Sequence, residues 1–279
     1  MQQQSNSTIK RFFDWYLHAS LHVALATTVL VQMTFYFCFL PFNIAITSLV
    51  FFGTVFSYNF IKYAQVIAKK KELTRFLKSI IVLSVISLII ALISFLFLDL
   101  KAQLLTVFFG LLCVLYVIPL AKSKTNLRNY AGIKIYIVSL CWAGVTTLLP
   151  IVNADQTIEN DILFKFLQRF ILTLILILVF EINDLKYDDI RLKTVPQTIG
   201  VLKTKYLIGL LLIPFYFLEF LKVNYYGNQW IINLILVSVI ALFTYYANPN
   251  RSKYYTLFWV ESIPVLWYLL IILFNTHYL

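Results

Sequence analysis

Apolar residues fill this chain in long runs, at about 17–40, 42–61, 77–98, 102–120, 132–152, 162–181, 205–221, 229–247 and 255–274, divided by short polar connections. Each run approaches the roughly 20 residues that a helix needs to cross the hydrocarbon of a bilayer. A water-soluble core of this size would break the chain into shorter apolar segments. The pattern therefore predicts an all-α, polytopic membrane bundle of about nine transmembrane helices. Pro41 stands between the first two runs with Phe39, Leu40 and Phe42 around it, so the first connection is expected to be a tight hairpin. With no low-complexity stretch, soluble linker or strong internal repeat, residues 1–279 are expected to form a single membrane domain.

Charge adds an orientation. All but four of the 23 Lys and Arg residues fall in the N-terminal arm, 1–16, or in the second, fourth, sixth and eighth connections; the exceptions are Lys101, Lys165, Arg169 and Lys222. Because short loops rich in Lys and Arg remain on the cytoplasmic side, the N-terminus is expected to be cytoplasmic and the C-terminus external, in a plasma (inner) membrane. The opening segment, MQQQSNSTIKRFFDWYLH, is polar and then amphipathic, and lacks the charged start, short apolar core and small-residue cleavage site of a signal peptide. It is expected to be a retained arm, whose Asn6-Ser7-Thr8 sequon never meets the glycosylation machinery.

Composition agrees with the pattern: 61% of residues are hydrophobic, 13% are charged and the mean hydropathy is +0.84, against roughly 45–50% and 25% in ordinary soluble domains. The net charge of +11 does not indicate a nucleic-acid partner, because no soluble domain is present to display a basic face. Membrane lipid is the expected surrounding. Cys38, Cys113 and Cys141 have none of the paired spacings of a zinc or redox motif and are expected to be free thiols.

The sixth connection, FEINDLKYDDIRLKTVPQTIGVLKTK, holds four of the twelve acidic residues. On a continuing helix Glu181, Asp184 and Asp188 fall at i, i+3 and i+7, on one face. Such close like charges call for a positive partner. Mg²⁺ is one, since it binds through one or two carboxylates and keeps other positions for water and phosphate oxygens. Pairing with Lys186, Arg191 and Lys193 on a solvated helix end is the other. Glu261 lies within the ninth run, where an ionisable side chain is expected to face the bundle interior or an aqueous cavity. Pro264 is expected to bend that helix and free a backbone carbonyl.

The segment DLKYDD followed by RLKTVPQTIG resembles the second aspartate-rich motif of the UbiA superfamily of intramembrane prenyltransferases. Asp184 and Asp188 match its two aspartates, Lys193 and Thr194 its basic and hydroxyl positions, and Pro196 through Gly200 its ending. The fourth connection, LYVIPLAKSKTNLRNYAGIK, with Trp142 after it, also looks like the family. The resemblance implies a UbiA-like bundle of nine helices that binds Mg²⁺ and the diphosphate of a polyprenyl donor and transfers the prenyl group to a lipophilic acceptor. It implies Asp184 and Asp188 as catalytic residues and Glu181, Asp184 and Asp188 as metal ligands. The family's first motif, NDxxDxxxD, corresponds here to SYNFIKYAQVIAKKK, where Asn59 keeps the asparagine while Phe60, Tyr63 and Ile67 occupy the aspartate positions. Lys62 follows Asn59 by three residues, and both are expected to face the carboxylates across a cytoplasmic cavity, the lysine standing in as a point charge on phosphate. Arg128, Lys134 and Lys193 are further diphosphate candidates. Tyr116 and Glu261 are candidates for the acceptor pocket, with Trp142 beside them as a ring face for a prenyl cation. Two other readings remain: an isoprenoid-diphosphate-binding membrane protein with altered or no chemistry, and a small secondary transporter, the latter disfavoured by the odd number of runs.

Overall fold

The computed structural model describes residues 2–69, 73–117, 132–223 and 228–274, and among these it contains helices and no strand. The helices are α1 (Gln2–His18), α2 (Leu21–Phe37), α3 (Ile44–Lys69), α4 (Arg75–Leu96), α5 (Leu100–Val117), α6 (Ile133–Asn153), α7 (Asn160–Asp184), α8 (Val195–Ile199), α9 (Val201–Leu221), α10 (Gln229–Tyr246) and α11 (Tyr255–Phe274). A helix occupies each of the nine apolar runs. Seven of them, α3, α4, α6, α7, α9, α10 and α11, are long and apolar enough to cross a membrane, so the chain is a multi-pass membrane protein. The other two, α2 and α5, are apolar but shorter.

The first run breaks where the sequence carries no break signal. Ser20 sits in the left-handed region at φ 61°, and α1 meets α2 at a 56° bend. A left-handed non-glycine residue is sterically costly; here the Lys62 ammonium donates to Ser20 Oγ at 3.0 Å. The arm is accordingly a helix in its own right, tied to the α10–α11 turn by the Lys253–Asp14 ion pair and the Tyr254 hydroxyl, which donates to Asp14.

Burial sorts the helices into inner and outer ones. α2 buries residues around its whole circumference, among them Val23, Ala24, Ala26, Leu30, Val31 and Met33, as a central helix must. α4, by contrast, turns Val82, Val85, Ile86, Ile89, Leu92, Ile93 and Leu96 outward at helical spacing, a lipid-facing stripe. Two apolar cores result: one joins α2, α6, α7, α9, α10 and α11, the other α2, α3, α4, α5 and the end of α6. Between them lies a cavity.

Two helices widen into π turns beside that cavity, Gly144–Leu148 in α6 and Tyr255–Val260 at the start of α11. In α6 the cause is readable. Pro150 has no N–H to return to Thr146, four residues back, and the freed Thr146 carbonyl accepts instead from Thr34 Oγ1, at 2.7 Å, and from Arg169 Nη1. In α11 the irregularity precedes Pro264: helix resumes only at Ile263, and the Phe258 carbonyl lies 3.1 Å from His22 Nε2. Gly144 is required by packing, since a Cβ there would stand 1.9 Å from the Phe109 ring of α5.

Candidate functional site

The cavity encloses about 450 Å³, within the ordinary range of small-molecule sites. α3, α5, α6 and α7 supply its walls, with Asp188 and Leu192 from the loop after α7 and Glu261 from α11. Along α3 the lining runs from Leu49 to Lys62, which at 1.5 Å per residue is about 20 Å. Charge lies at one end of it only. Lys62, Lys134, Glu181, Asp184, Asp188 and Glu261 are all at the mouth, while Val50, Phe109, Val145, Leu149, Leu176 and Ile177 are among the apolar residues deeper in. Trp142 stands between, its Nε1 donating to the Tyr58 hydroxyl at 2.8 Å, and Cys113 and Cys141 face each other across α5 and α6.

Local sequence explains the mouth. α7 ends at Asp184, so Glu181, Asp184 and Asp188 do not share a continuing helix; this corrects the sequence-based expectation. The chain leaves α7 through a turn in which the N–H groups of Tyr187 and Asp188 both donate to the Asp184 carbonyl, at 2.8 and 3.0 Å, so Asp188 still returns to the cavity one turn beyond Asp184. A 3₁₀ turn at Ile190–Leu192 and a left-handed Lys193 (φ 45°) then redirect the chain into α8, which is capped by Gln197 Oε1 accepting from the Thr194 N–H. Gly200, at φ 86°, separates α8 from α9.

The three acids have different roles. Glu181 is buried and committed: its Oε1 pairs with the Lys134 ammonium at 2.9 Å and its Oε2 accepts from the Val195 N–H at 3.0 Å, which pins the loop to α7. Asp184 and Asp188 are half-buried, line the cavity and repel one another. Among the described residues no three His, Cys, Asp or Glu side chains gather into a metal-holding group. The expected triad is therefore a pair, which is the number of carboxylates Mg²⁺ takes when water and phosphate oxygens complete its shell. The four carboxylates of the mouth face two amines, and this excess of negative charge in a half-enclosed site fits a divalent cation.

On α3 the expected arrangement divides. Lys62 lines the cavity with the Glu261 carboxylate, whose opposite charge attracts it, and its Nζ lies 5.9 Å from the Tyr58 ring centroid. The lining stripe is Thr54, Ser57, Tyr58, Ile61 and Lys62, at helical spacing, and Asn59 is not on it. Asn59 is buried against α4, its Nδ2 donating to the Ala19 carbonyl and to Ser84 Oγ. Phe60, Tyr63 and Ile67 also lie off the stripe: Phe60 stacks on Phe56, and the Tyr63 hydroxyl donates to the His18 carbonyl. The positions matched to the first motif thus sit on faces of α3 that look away from the cavity. Lys193 is exposed and does not line it either. Arg128 and the Tyr116 side chain lie outside the described residues.

A second polar group was not singled out in the sequence. Lys165, Arg169 and Lys222, read there as topological exceptions, converge with Gln168, Glu219 and Asn233 at the other end of α7, about 24 Å along that helix from Glu181. Cations four residues apart inside an apolar run were the available signal, since charge at that depth faces the interior. No family model, no curated protein and no solved structure matches this chain.

Proposed function

We propose that this protein is an intramembrane transferase of the UbiA type, moving a polyprenyl group from its diphosphate to a lipophilic acceptor. The observation that carries the reading is the division of one cavity into a charged mouth, with Asp184, Asp188, Lys62 and Lys134, and a long apolar interior. That is the shape of an amphiphile with a phosphorylated head and a hydrocarbon tail. In the same reading all nine apolar helices span the membrane, the N-terminus and the mouth are cytoplasmic, the C-terminus is external, and the membrane is the plasma (inner) membrane. The distribution of Lys and Arg supports this orientation.

Asp184 and Asp188 would hold Mg²⁺, whose charge stabilises the departing diphosphate. Lys62, held by Ser20, and Lys134, held by Glu181, stand at the mouth as point charges for phosphate oxygens. The bond from the allylic carbon to the diphosphate oxygen breaks, a bond from that carbon to the acceptor forms, and Glu261 takes the acceptor's proton. Tyr58 and Trp142 present ring faces to the carbon that becomes electron-poor. Purified protein given radiolabelled farnesyl or geranylgeranyl diphosphate, Mg²⁺ and a membrane lipid extract is expected to form a prenylated lipid and release diphosphate. Undiminished prenyl diphosphate binding with no turnover would overturn the enzyme in favour of a binding protein with the same site.

A further inference from the structure

We propose that Cys113 and Cys141 form a redox-modification site inside the cavity, closed to a disulfide by a lipid hydroperoxide that reaches them from the bilayer. Two of the three cysteines of the chain line the cavity, one from α5 and one from α6, and their thiols are hydrogen-bonded to each other. Cys38 does not line it. The contact has a second rung. Phe109 stands four residues before Cys113 and Gly144 three after Cys141, and a Cβ on Gly144 would lie 1.9 Å from the Phe109 ring. Spacings of four and three each return to the same helical face one turn away, so both contacts belong to one antiparallel seam between α5 and α6. Neither thiol is fully buried, and each is open to the cavity.

The position selects the oxidant. The two sulfurs sit beside Trp142, where the charged mouth gives way to the apolar interior. A mouth with four carboxylates against two amines repels anionic thiol reagents such as glutathione disulfide, and the apolar walls beyond it disfavour any charged one. A lipid hydroperoxide carries the hydrocarbon chain that such walls admit. One sulfur, giving up its proton, attacks the terminal oxygen of the hydroperoxide: an S–O bond forms, the O–O bond breaks, and the lipid leaves as its alcohol with that proton. The sulfenic acid so formed condenses with the second thiol. The S–S bond forms, the S–O bond breaks, and the hydroxyl group leaves with the second proton as water. A disulfide holds its sulfurs about 2 Å apart, closer than two thiols in contact, so the bond draws α5 and α6 together. α5 has room for that movement, because Leu104, Phe108, Leu111 and Leu115 are exposed on its outer side, where lipid and not protein backs it. Cys141 adjoins Trp142, which donates to Tyr58 of α3. The bond therefore fixes the spacing of three walls at one level of the cavity.

The test uses the reduced wild-type protein in liposomes and needs no substrate. Cumene hydroperoxide is expected to join Cys113 to Cys141, read as the loss of two hydrogens in the intact mass and as a cross-linked peptide pair after digestion. The melting temperature is expected to rise by roughly 5 °C, and a lipophilic dithiol to reverse both changes. Glutathione disulfide at the same concentration is expected to leave the two thiols free. Cys38→Ser should behave as the wild type. Cys113→Ser should stop the reaction at a sulfenic acid on Cys141, trapped with dimedone; should that variant fail to fold, the peptide map of the wild type decides alone. No reaction with the hydroperoxide, oxidation of the thiols without a bond between Cys113 and Cys141, or a bond formed as readily by glutathione disulfide would overturn the proposal.

Discussion

The two ends of α7 carry opposite charge and are built differently. At its C-terminal end four carboxylates face two amines around an open cavity; at its N-terminal end three cations surround one carboxylate in a space that admits a single small body. Burying like charges is costly at either end, and the two ends meet that cost in different ways. The acidic end stays accessible, with Asp184 and Asp188 half-buried, so its compensating charge can arrive with a ligand and leave with it. The basic end is narrow, and its groups hold one another: Glu219 accepts three hydrogen bonds, and Arg169 Nη1 reaches the Thr146 carbonyl, Thr34 and Thr147. One end is arranged for exchange, the other for cohesion between α2, α6, α7 and α9.

The largest expected effect breaks the cohesive end. Glu219→Gln keeps the shape of the side chain and removes the only carboxylate that, among the described residues, lines the space with the three cations, which should destabilise the protein by roughly 3–5 kcal/mol. Unfolding followed by tryptophan fluorescence in mixed detergent measures it. If Glu219→Gln melted like the wild type, the basic cluster would not be a buried charge network, and the contrast between the two ends would fail.

At the acidic end the expected loss is in binding. Asp184→Ala and Asp188→Ala should each weaken Mg²⁺-dependent prenyl diphosphate binding by about 3 kcal/mol, roughly a hundredfold, with little change in melting. Asp189→Ala serves as the control, because Asp189 is exposed and does not line the cavity. Titration with a fluorescent prenyl diphosphate analogue separates the three. Equal behaviour of all three variants would return the acids to an ordinary charged helix end.

Much of this was legible in the sequence, because bilayer thickness fixes helix length and helical order is then read directly from the apolar runs. The acidic mouth was legible too: Glu181, Asp184, Asp188, Lys62, Lys134 and Glu261 do line one cavity. What failed depends on information that linear spacing lacks. Asn59 follows Tyr58 by a single residue, a rotation of 100° that turns it from the cavity to α4, and no apolar or polar periodicity marks which face of so hydrophobic a helix looks inward. The broken turn at Ser20 is met by a hydrogen bond from Lys62, forty-two residues away, which no local pattern marks. Lys165 and Arg169 were read by side of membrane alone, because Thr34, Thr146 and Glu219, which give Arg169 and its neighbours their meaning, come from distant segments.

The smallest effect sharpens the comparison by holding chemistry constant. Lys222–Glu219 and Lys101–Asp155 are both ion pairs, at 2.7 and 2.6 Å, but the side chains of the first are 3% and 4% exposed and those of the second 72% and 77%. The hydrogen bond from Lys101, with its charge, holds the Asp155 carboxyl below the ordinary aspartate value. Its contribution is thus present above the unfolded-state value and disappears as pH falls through the lowered folded-state value. Water and salt screen a pair so exposed. Lys101→Ala is therefore expected to leave the melting temperature at pH 7 unchanged in 0.5 M salt and to alter only slightly, at low salt, the steepness of the acid limb below about pH 4. If Lys101→Ala destabilised the protein as much as Glu219→Gln, burial would not be what distinguishes the two pairs, and cohesion at the basic end would have to come from geometry common to both.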